Sequence, residues 1–440
     1  MSTVSAEIPA TQAGRITHRL AVAAFALIAL AYLAQCATPL RLVNDGVDYL
    51  LQASSALDGH GFLLHGSVRS MRPAGYPAMI LLLGKIGIAT SWAFVALNCV
   101  ALGIGCWASC YILRRSFEFS STTALVICLL TSLSFLMVRN VTYTLSDIPY
   151  FGLSTPCLWM LLRAETESAS RRWKWLLAIL PFIVINIEVR TIAIVMIPAF
   201  LWAAMGGMPA AKRVYPRLLP YRYLLLAAFV VGVAVSCELL IHSRYWQFNL
   251  PTFLRRGIVR SLASNFNDHT SEWGEMIVNV PLSRLPAALM WPVRILGATA
   301  ILTSIFGIWK KRDQIDSLLL YLLGGAAIVF VYPWFDTRLW LPFFPFLMGY
   351  ILLGLRQIAP SRALRPAILV YTCCFCVLGV AALIFSTRLS FAGSRFPDLF
   401  GDGHFRATYR LALLKEQPAA GERIDPDGLY LLRRFEPRAR

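Results

Sequence analysis

The stretch Asn44-Asp45-Gly46-Val47-Asp48-Tyr49 places two carboxylates directly after the first long apolar run of this 440-residue chain. Ionisable groups beside hydrocarbon are costly, and where they occur they tend to mark a substrate or ion site. Asp45 and Tyr49 are spaced D-x-x-x-Y, so on a helical turn they share a face. Four further charged groups stand at the ends of apolar runs: Arg72, Asp147, Arg190 and Arg338. Guanidinium forks suit carboxylate and phosphate oxygens. No pair among His60, His65, His242 and His269 has a metal-ligand spacing, so a metal stays an open question at this stage. The chain carries no Walker loop, dinucleotide fingerprint or internal repeat.

The elements that must position these groups are membrane helices. Hydrophobic residues make up 58% of the chain and recur in apolar runs of about 17 to 22 residues, the length that crosses a bilayer. This predicts an all-α polytopic membrane protein. The first run, residues 20–37, follows Arg15 and Arg19 and is long enough to anchor rather than to be cleaved as a signal. The ten cysteines fall in or beside apolar runs, where they act as small hydrophobes, and no loop pair predicts a disulfide framework. A formal charge of +18 would point to nucleic acid in a soluble protein; here its distribution sets topology, and no nucleic-acid partner is expected.

Basic clusters at Arg114 and Arg115, at Arg163 to Lys174, at Lys212 to Arg222, at Lys310 to Arg312 and at Arg356 to Arg365 belong on the cytoplasmic side. Their parity requires two local choices. Residues 175–205 must cross twice, turning outward at Arg190, and residues 76–89, too short to span, must form a re-entrant or juxtamembrane helix on the outer side. The expectation is about eleven spans, with residues 1–19 as a cytoplasmic tail and 20–386 as the membrane domain. The outer face then carries a first loop (38–91), a long loop (242–285) and a short tail (387–440). Nearly all the polar chemistry faces that side, which is the layout of an enzyme or assembly protein working at the outer face rather than of a transporter with a midplane site.

On these residues the chain resembles the GT-C superfamily of membrane glycosyltransferases, the branch of protein mannosyltransferases and lipid A aminoarabinose transferases. The likeness runs from residue 20 to about 386. It rests on the acidic loop with D-x-x-x-Y and on Arg72-Pro73-Ala74-Gly75-Tyr76-Pro77. Three later elements add to it: Leu145-Ser146-Asp147-Ile148-Pro149-Tyr150, Glu188-Val189-Arg190-Thr191 and Arg338-Leu339-Trp340-Leu341-Pro342-Phe343-Phe344-Pro345. Many members have Asp-Glu where this chain has Asp45-Gly46; Asp48 or Asp147 would stand in. The short tail argues for a glycolipid or polysaccharide acceptor over a protein.

The resemblance implies inverting transfer of a sugar from a polyprenyl-phosphate donor to an envelope glycan or glycolipid, at the periplasmic face of a bacterial inner membrane. One carboxylate must take the acceptor proton, because a hydroxyl is a poor nucleophile at neutral pH. Asp45 is the first choice and Asp48 the substitute; the bland alternative for Asp45 is a helix cap. Arg72, Arg190 and Arg338 would receive the leaving phosphate's charge. The alternative there is an interfacial arginine reaching headgroups, which the very short turns holding Arg190 and Arg338 do not require. Asp147, with Tyr49 and Tyr76, would hold the acceptor or, with Asp45, a divalent cation; Ser146 and Asp147 could equally cap the next helix. Rival readings are an O-antigen polymerase or ligase and a flippase for lipid-linked sugars.

Overall fold

A computed structural model describes residues 12–206, 238, 244–358, 361–400 and 404–439. The predicted Lys212 to Arg222 cluster and His242 lie outside the described residues. The molecule is an all-α polytopic membrane protein. Among the described residues five helices are long and apolar enough to cross a bilayer, or six if one bent pair counts as a span. The predicted count of eleven depends in part on residues 207–237, outside that set.

Helix α1 (Gln12–Ala34) leads to α2 (Asn44–Leu57), a small antiparallel pair of β1 (Leu63–Leu64) with β2 (Val68–Arg69), and α3 (Gly75–Lys85). At eleven residues α3 covers only about 16 Å, too little for a span, as predicted. Next come α4 (Ser91–Ser116) and the pair α5 (Ser121–Ser132) and α6 (Phe135–Val141), which bends by 55°. After α7 (Asp147–Thr166) come α8 (Ala169–Val189), a 3-10 turn over Thr191–Val195, and α9 (Met196–Met205), two helices on either side of the Arg190 turn. Then follow α10 (Arg244–Arg255), α11 (Ile258–Val278), α12 (Met290–Lys310), α13 (Ser317–Val331), α14 (Phe344–Ile358) and α15 (Ser361–Ser390).

Lipid gives helices no hydrophobic reason to associate, so close packing depends on small residues. Helices α4 and α7 meet there: a β-carbon on Gly152 would lie 2.6 Å from the Ala101 carbonyl oxygen. Across α12 and α14, one on Gly354 would lie 2.2 Å from the Thr303 carbonyl oxygen.

Broken helices expose backbone groups that hydrocarbon cannot satisfy, and buried asparagines cover the breaks. Asn98 donates to the carbonyls of Val141 (2.9 Å) and Tyr143 (2.8 Å), holding the end of α6. Asn265 does the same for Phe330 (2.8 Å) and Tyr332 (3.0 Å) at the end of α13. At the α5–α6 bend, Asn279 donates to Leu133 and Phe375 and accepts from the Phe135 N–H. Two of these three asparagines therefore fix the approach to a segment carrying site residues.

The described part of the tail carries the short helices α16 (Phe396–Phe400), α17 (Arg406–Tyr409) and α18 (Pro426–Phe435), with irregular chain over 415–425 before the last of them. An amphipathic ten-residue segment pressing Leu431, Leu432 and Phe435 inward is served by a helix, and Asp425 caps it through the Gly428 N–H. The tail braces the segment that leads from α1 into α2. The Tyr409 hydroxyl donates to the Leu40 carbonyl and accepts from the Leu42 N–H, and Glu436 accepts from the Leu40 N–H.

Candidate active site

Residues from four separate connections converge on one cavity. It encloses about 800 Å³ of empty space, open solvent at its mouth included. Asp45, Tyr49, Arg72, Asp147, Arg190, Tyr332 and Asp336 supply its polar wall, and Ile192, Ile328, Val329 and Leu339 an apolar one. A pocket with convergent polar groups against an apolar face is the usual form of a site for an amphiphilic ligand.

Asp45 stands in the first turn of α2 and makes no capping bond; both its oxygens go to arginines. Arg72 Nη2 lies 2.8 Å from Oδ1 and Arg338 Nη2 3.1 Å from Oδ2. The same Arg72 places Nε 2.8 Å from Asp48 Oδ2, so one guanidinium gathers both predicted carboxylates. Tyr49, one turn along, aims its hydroxyl at Ser146 Oγ (3.0 Å) and packs edge-on to Tyr76 at 5.3 Å. Burial pushes the phenols of both tyrosines up, so each keeps its proton. Tyr76 stands one layer behind the cavity wall, supporting Tyr49, with its hydroxyl buried and without a hydrogen-bond partner among the described residues.

The capping alternative for Ser146 and Asp147 is also answered. Ser146 precedes α7 without a side-chain cap bond, and Asp147, 2% exposed, is paired with Arg190. Arg190 occupies the break between α8 and the 3-10 turn in extended backbone (φ −155°, ψ 124°). That conformation interrupts the helix and turns the residue toward α7.

Arg338 is held by two carboxylates at once. It chelates Asp336 with Nε at 2.9 Å and Nη2 at 2.7 Å while reaching Asp45. Burial opposes the ionisation of Asp336, but the Arg338 guanidinium, with Arg190 behind it, holds its carboxyl below the usual carboxylate range. The turn itself hangs from α11. Glu272, fully buried, accepts from the Asp336 N–H (2.6 Å), the Trp340 indole (2.7 Å) and His269 Nδ1 (2.7 Å). Glu275 accepts from the Thr337 hydroxyl (2.5 Å).

Asp336, Glu272, Glu275 and His269 have no assigned role in the sequence reading. Asp336 had a signal, an Asp-x-Arg pair inside a short turn; the two glutamates had none, because their partners are some sixty residues away. Trp273 and Trp340 are buried against each other at 5.3 Å, and the Trp340 indole donates to Glu272. Trp291 and Trp334 are exposed.

The acidic residue absent at Gly46 has a steric reason. A β-carbon there would lie 2.9 Å from Thr144 Oγ1 and 3.0 Å from the Thr144 carbonyl oxygen, so no glutamate fits. Asp45 and Asp147 are paired with different arginines, and among the described residues no group of three His, Cys, Asp or Glu is placed to hold a metal ion.

No protein-family model matches the chain, and no curated protein matches it. Among solved structures, ArnT from Cupriavidus metallidurans in its apo state superposes with a TM-score of 0.54 at 12% identity, over 97% of this chain and 86% of that one. The same protein bound to undecaprenyl phosphate gives 0.51 at 12% identity, over 94% and 84%. At such identity the shared property is the fold alone, an all-helical membrane fold as the sequence predicts.

Proposed function

We propose that this protein is an inverting membrane glycosyltransferase that moves a sugar from a polyprenyl-phosphate-linked donor to a hydroxyl of an envelope glycolipid or polysaccharide. The observation that carries the reading is Asp45 held between Arg72 and Arg338 at a cavity with one apolar wall. Further support is the shared fold with a protein solved with undecaprenyl phosphate.

In this reading the carboxylates occupy the arginines until the donor arrives. Phosphate oxygens then take over the forks of Arg72 and Arg338, with Arg190 beside them, and the prenyl chain follows the apolar wall of α13. Releasing the arginines frees Asp45 to accept the acceptor's proton. The acceptor oxygen bonds to the anomeric carbon as that carbon's bond to the phosphate oxygen breaks, and the electron pair leaves on the polyprenyl phosphate. Three guanidiniums in a partly dehydrated site stabilise that charge where it develops. Asp48 keeps Arg72 oriented, and Tyr49 with Asp147 lines the acceptor side. A divalent cation would have to displace Arg72 or Arg190 from its carboxylate, so the arginines are assigned the charge-stabilising role. The site faces the outer side of a bacterial inner membrane, where prenyl-linked donors and envelope acceptors meet.

The test is transfer from a purified polyprenyl-phosphate sugar to an extracted envelope lipid fraction by the protein in nanodiscs. Product from wild type and its loss in Asp45→Asn support the reading; equal product from both rejects it. Movement of the lipid-linked sugar between leaflets without transfer would favour the flippase.

A further inference from the structure

A second cavity lies at the same end of the bundle, on the far side of the segment joining α1 to α2. It encloses about 1310 Å³ including open solvent, and its polar lining is dominated by Arg41, Arg139 and Arg284, with no carboxylate residue in the wall. Arg41 is 3% exposed and spends its donors on neutral groups only: Thr38, Thr142, Ser386 and Ser390. A buried cation without a counter-ion is costly unless an anion is supplied from outside. Among the described residues neither Arg139 nor Arg284 has a carboxylate within ion-pairing distance. Glu275, whose charge is felt by Arg139, already accepts from Leu282 and Thr337.

The rest of the lining is apolar: Phe135 and Val138 of α6 on one side, Ala381 and Phe385 of α15 on the other. Helix α15 is a span only 17% buried, so this wall continues onto a lipid-facing surface. A cationic end joined to an apolar gutter that opens on the bilayer matches an amphiphile with an anionic head. A soluble anion would have no use for the gutter.

We propose that this cavity binds an anionic phospholipid of the surrounding leaflet, its phosphate on Arg139 and Arg284 within the field of Arg41, and an acyl chain along α6 and α15. The site is distinct from the Asp45 cavity and does not depend on the function proposed above.

The experiment is native mass spectrometry of the full chain released from detergent after exchange into dioleoylphosphatidylglycerol or dioleoylphosphatidylcholine. Wild type should retain the phosphatidylglycerol adduct selectively, and an R139Q/R284Q double variant should lose roughly 30-fold in retention, at about 1 kcal/mol per arginine. Ala381→Trp, which fills the gutter and leaves every arginine in place, should lose the adduct too. Asp45→Asn should retain it. Unchanged retention in the double variant overturns the proposal. So does displacement by inorganic phosphate, which would mark a free-anion site, or by polyprenyl phosphate at equal concentration, which would mark a carrier-lipid site.

Discussion

Arg338 Nη2 lies 3.1 Å from Asp45 Oδ2, although 293 residues separate the two in sequence. With Arg72 on its other oxygen, Asp45 is a carboxylate whose two lone-pair faces are both occupied until something else claims the arginines. Its availability as a base is thereby coupled to the arrival of an anion.

Asp45→Asn should therefore lower kcat for sugar transfer by about 100-fold or more, the ordinary contribution of a positioned general base. Asp48→Asn, which leaves Asp45 in place but frees one side of Arg72, should act mainly on KM for the donor. Steady-state kinetics on both variants separate the roles; a full-rate Asp45→Asn would transfer the assignment elsewhere.

Arg338→Lys keeps the charge and removes the fork that spans Asp336 and Asp45. Donor affinity should fall about 10- to 100-fold, as expected for losing hydrogen bonds to charged groups. Glu272→Leu tests the support beneath it. Unpairing the Asp336 N–H and the Trp340 indole in a buried setting should cost about 2–6 kcal/mol of stability, read as a lower thermal midpoint, with donor affinity reduced in parallel. Glu272→Gln, which keeps one acceptor oxygen but sets an amide NH2 against the remaining donor side, should restore only part of each.

The Asp336 carboxyl is held below its ordinary value of 3.8 by Arg338. Its folded-state pKa is thus lower than its unfolded one, so its contribution to stability is complete above the ordinary value and disappears as pH falls through the lower folded value. Thermal midpoints of wild type and Asp336→Asn should differ at neutral pH and converge on acidification below about pH 4. A gap that stays constant down to about pH 3 would show that this ion pair does not contribute in the way described.

Gly75 opens α3 against the end of α8: a β-carbon there would lie 2.5 Å from the Glu188 carbonyl and 2.6 Å from the Val189 nitrogen. Backbone on both sides leaves nowhere to give. Gly75→Ala should cost roughly 1–3 kcal/mol by overpacking and shift Arg190, the next residue, away from Asp147. Activity falling more than stability would show that the displacement reaches the site.

Topology reporters fused after Lys174 and after Lys311 should both score cytoplasmic. An outer signal at either would break the parity that places Asp45, Asp147, Arg190 and Arg338 on one face.

The sequence by itself determined the solvent. Apolar runs of spanning length dictate membrane helices, because hydrocarbon tolerates neither free backbone nor unpaired charge. It also determined which groups were anomalous there, and so Asp45, Asp48, Asp147, Arg72, Arg190 and Arg338 were legible before any coordinates. Only the tertiary structure decided who faces whom. That Arg72 serves both carboxylates, that Arg190 takes Asp147 and not Asp45, and that Asp336 sits inside the Arg338 fork are facts of convergence between distant loops. The turn's suspension from Glu272 and Glu275 was invisible for the same reason: a buried glutamate is silent in sequence until its distant donors are known. The acidic stretch after the first span thus proves to be one side of an interlocked set of ion pairs, and its neighbour Gly46 is glycine because Thr144 leaves no room for a side chain.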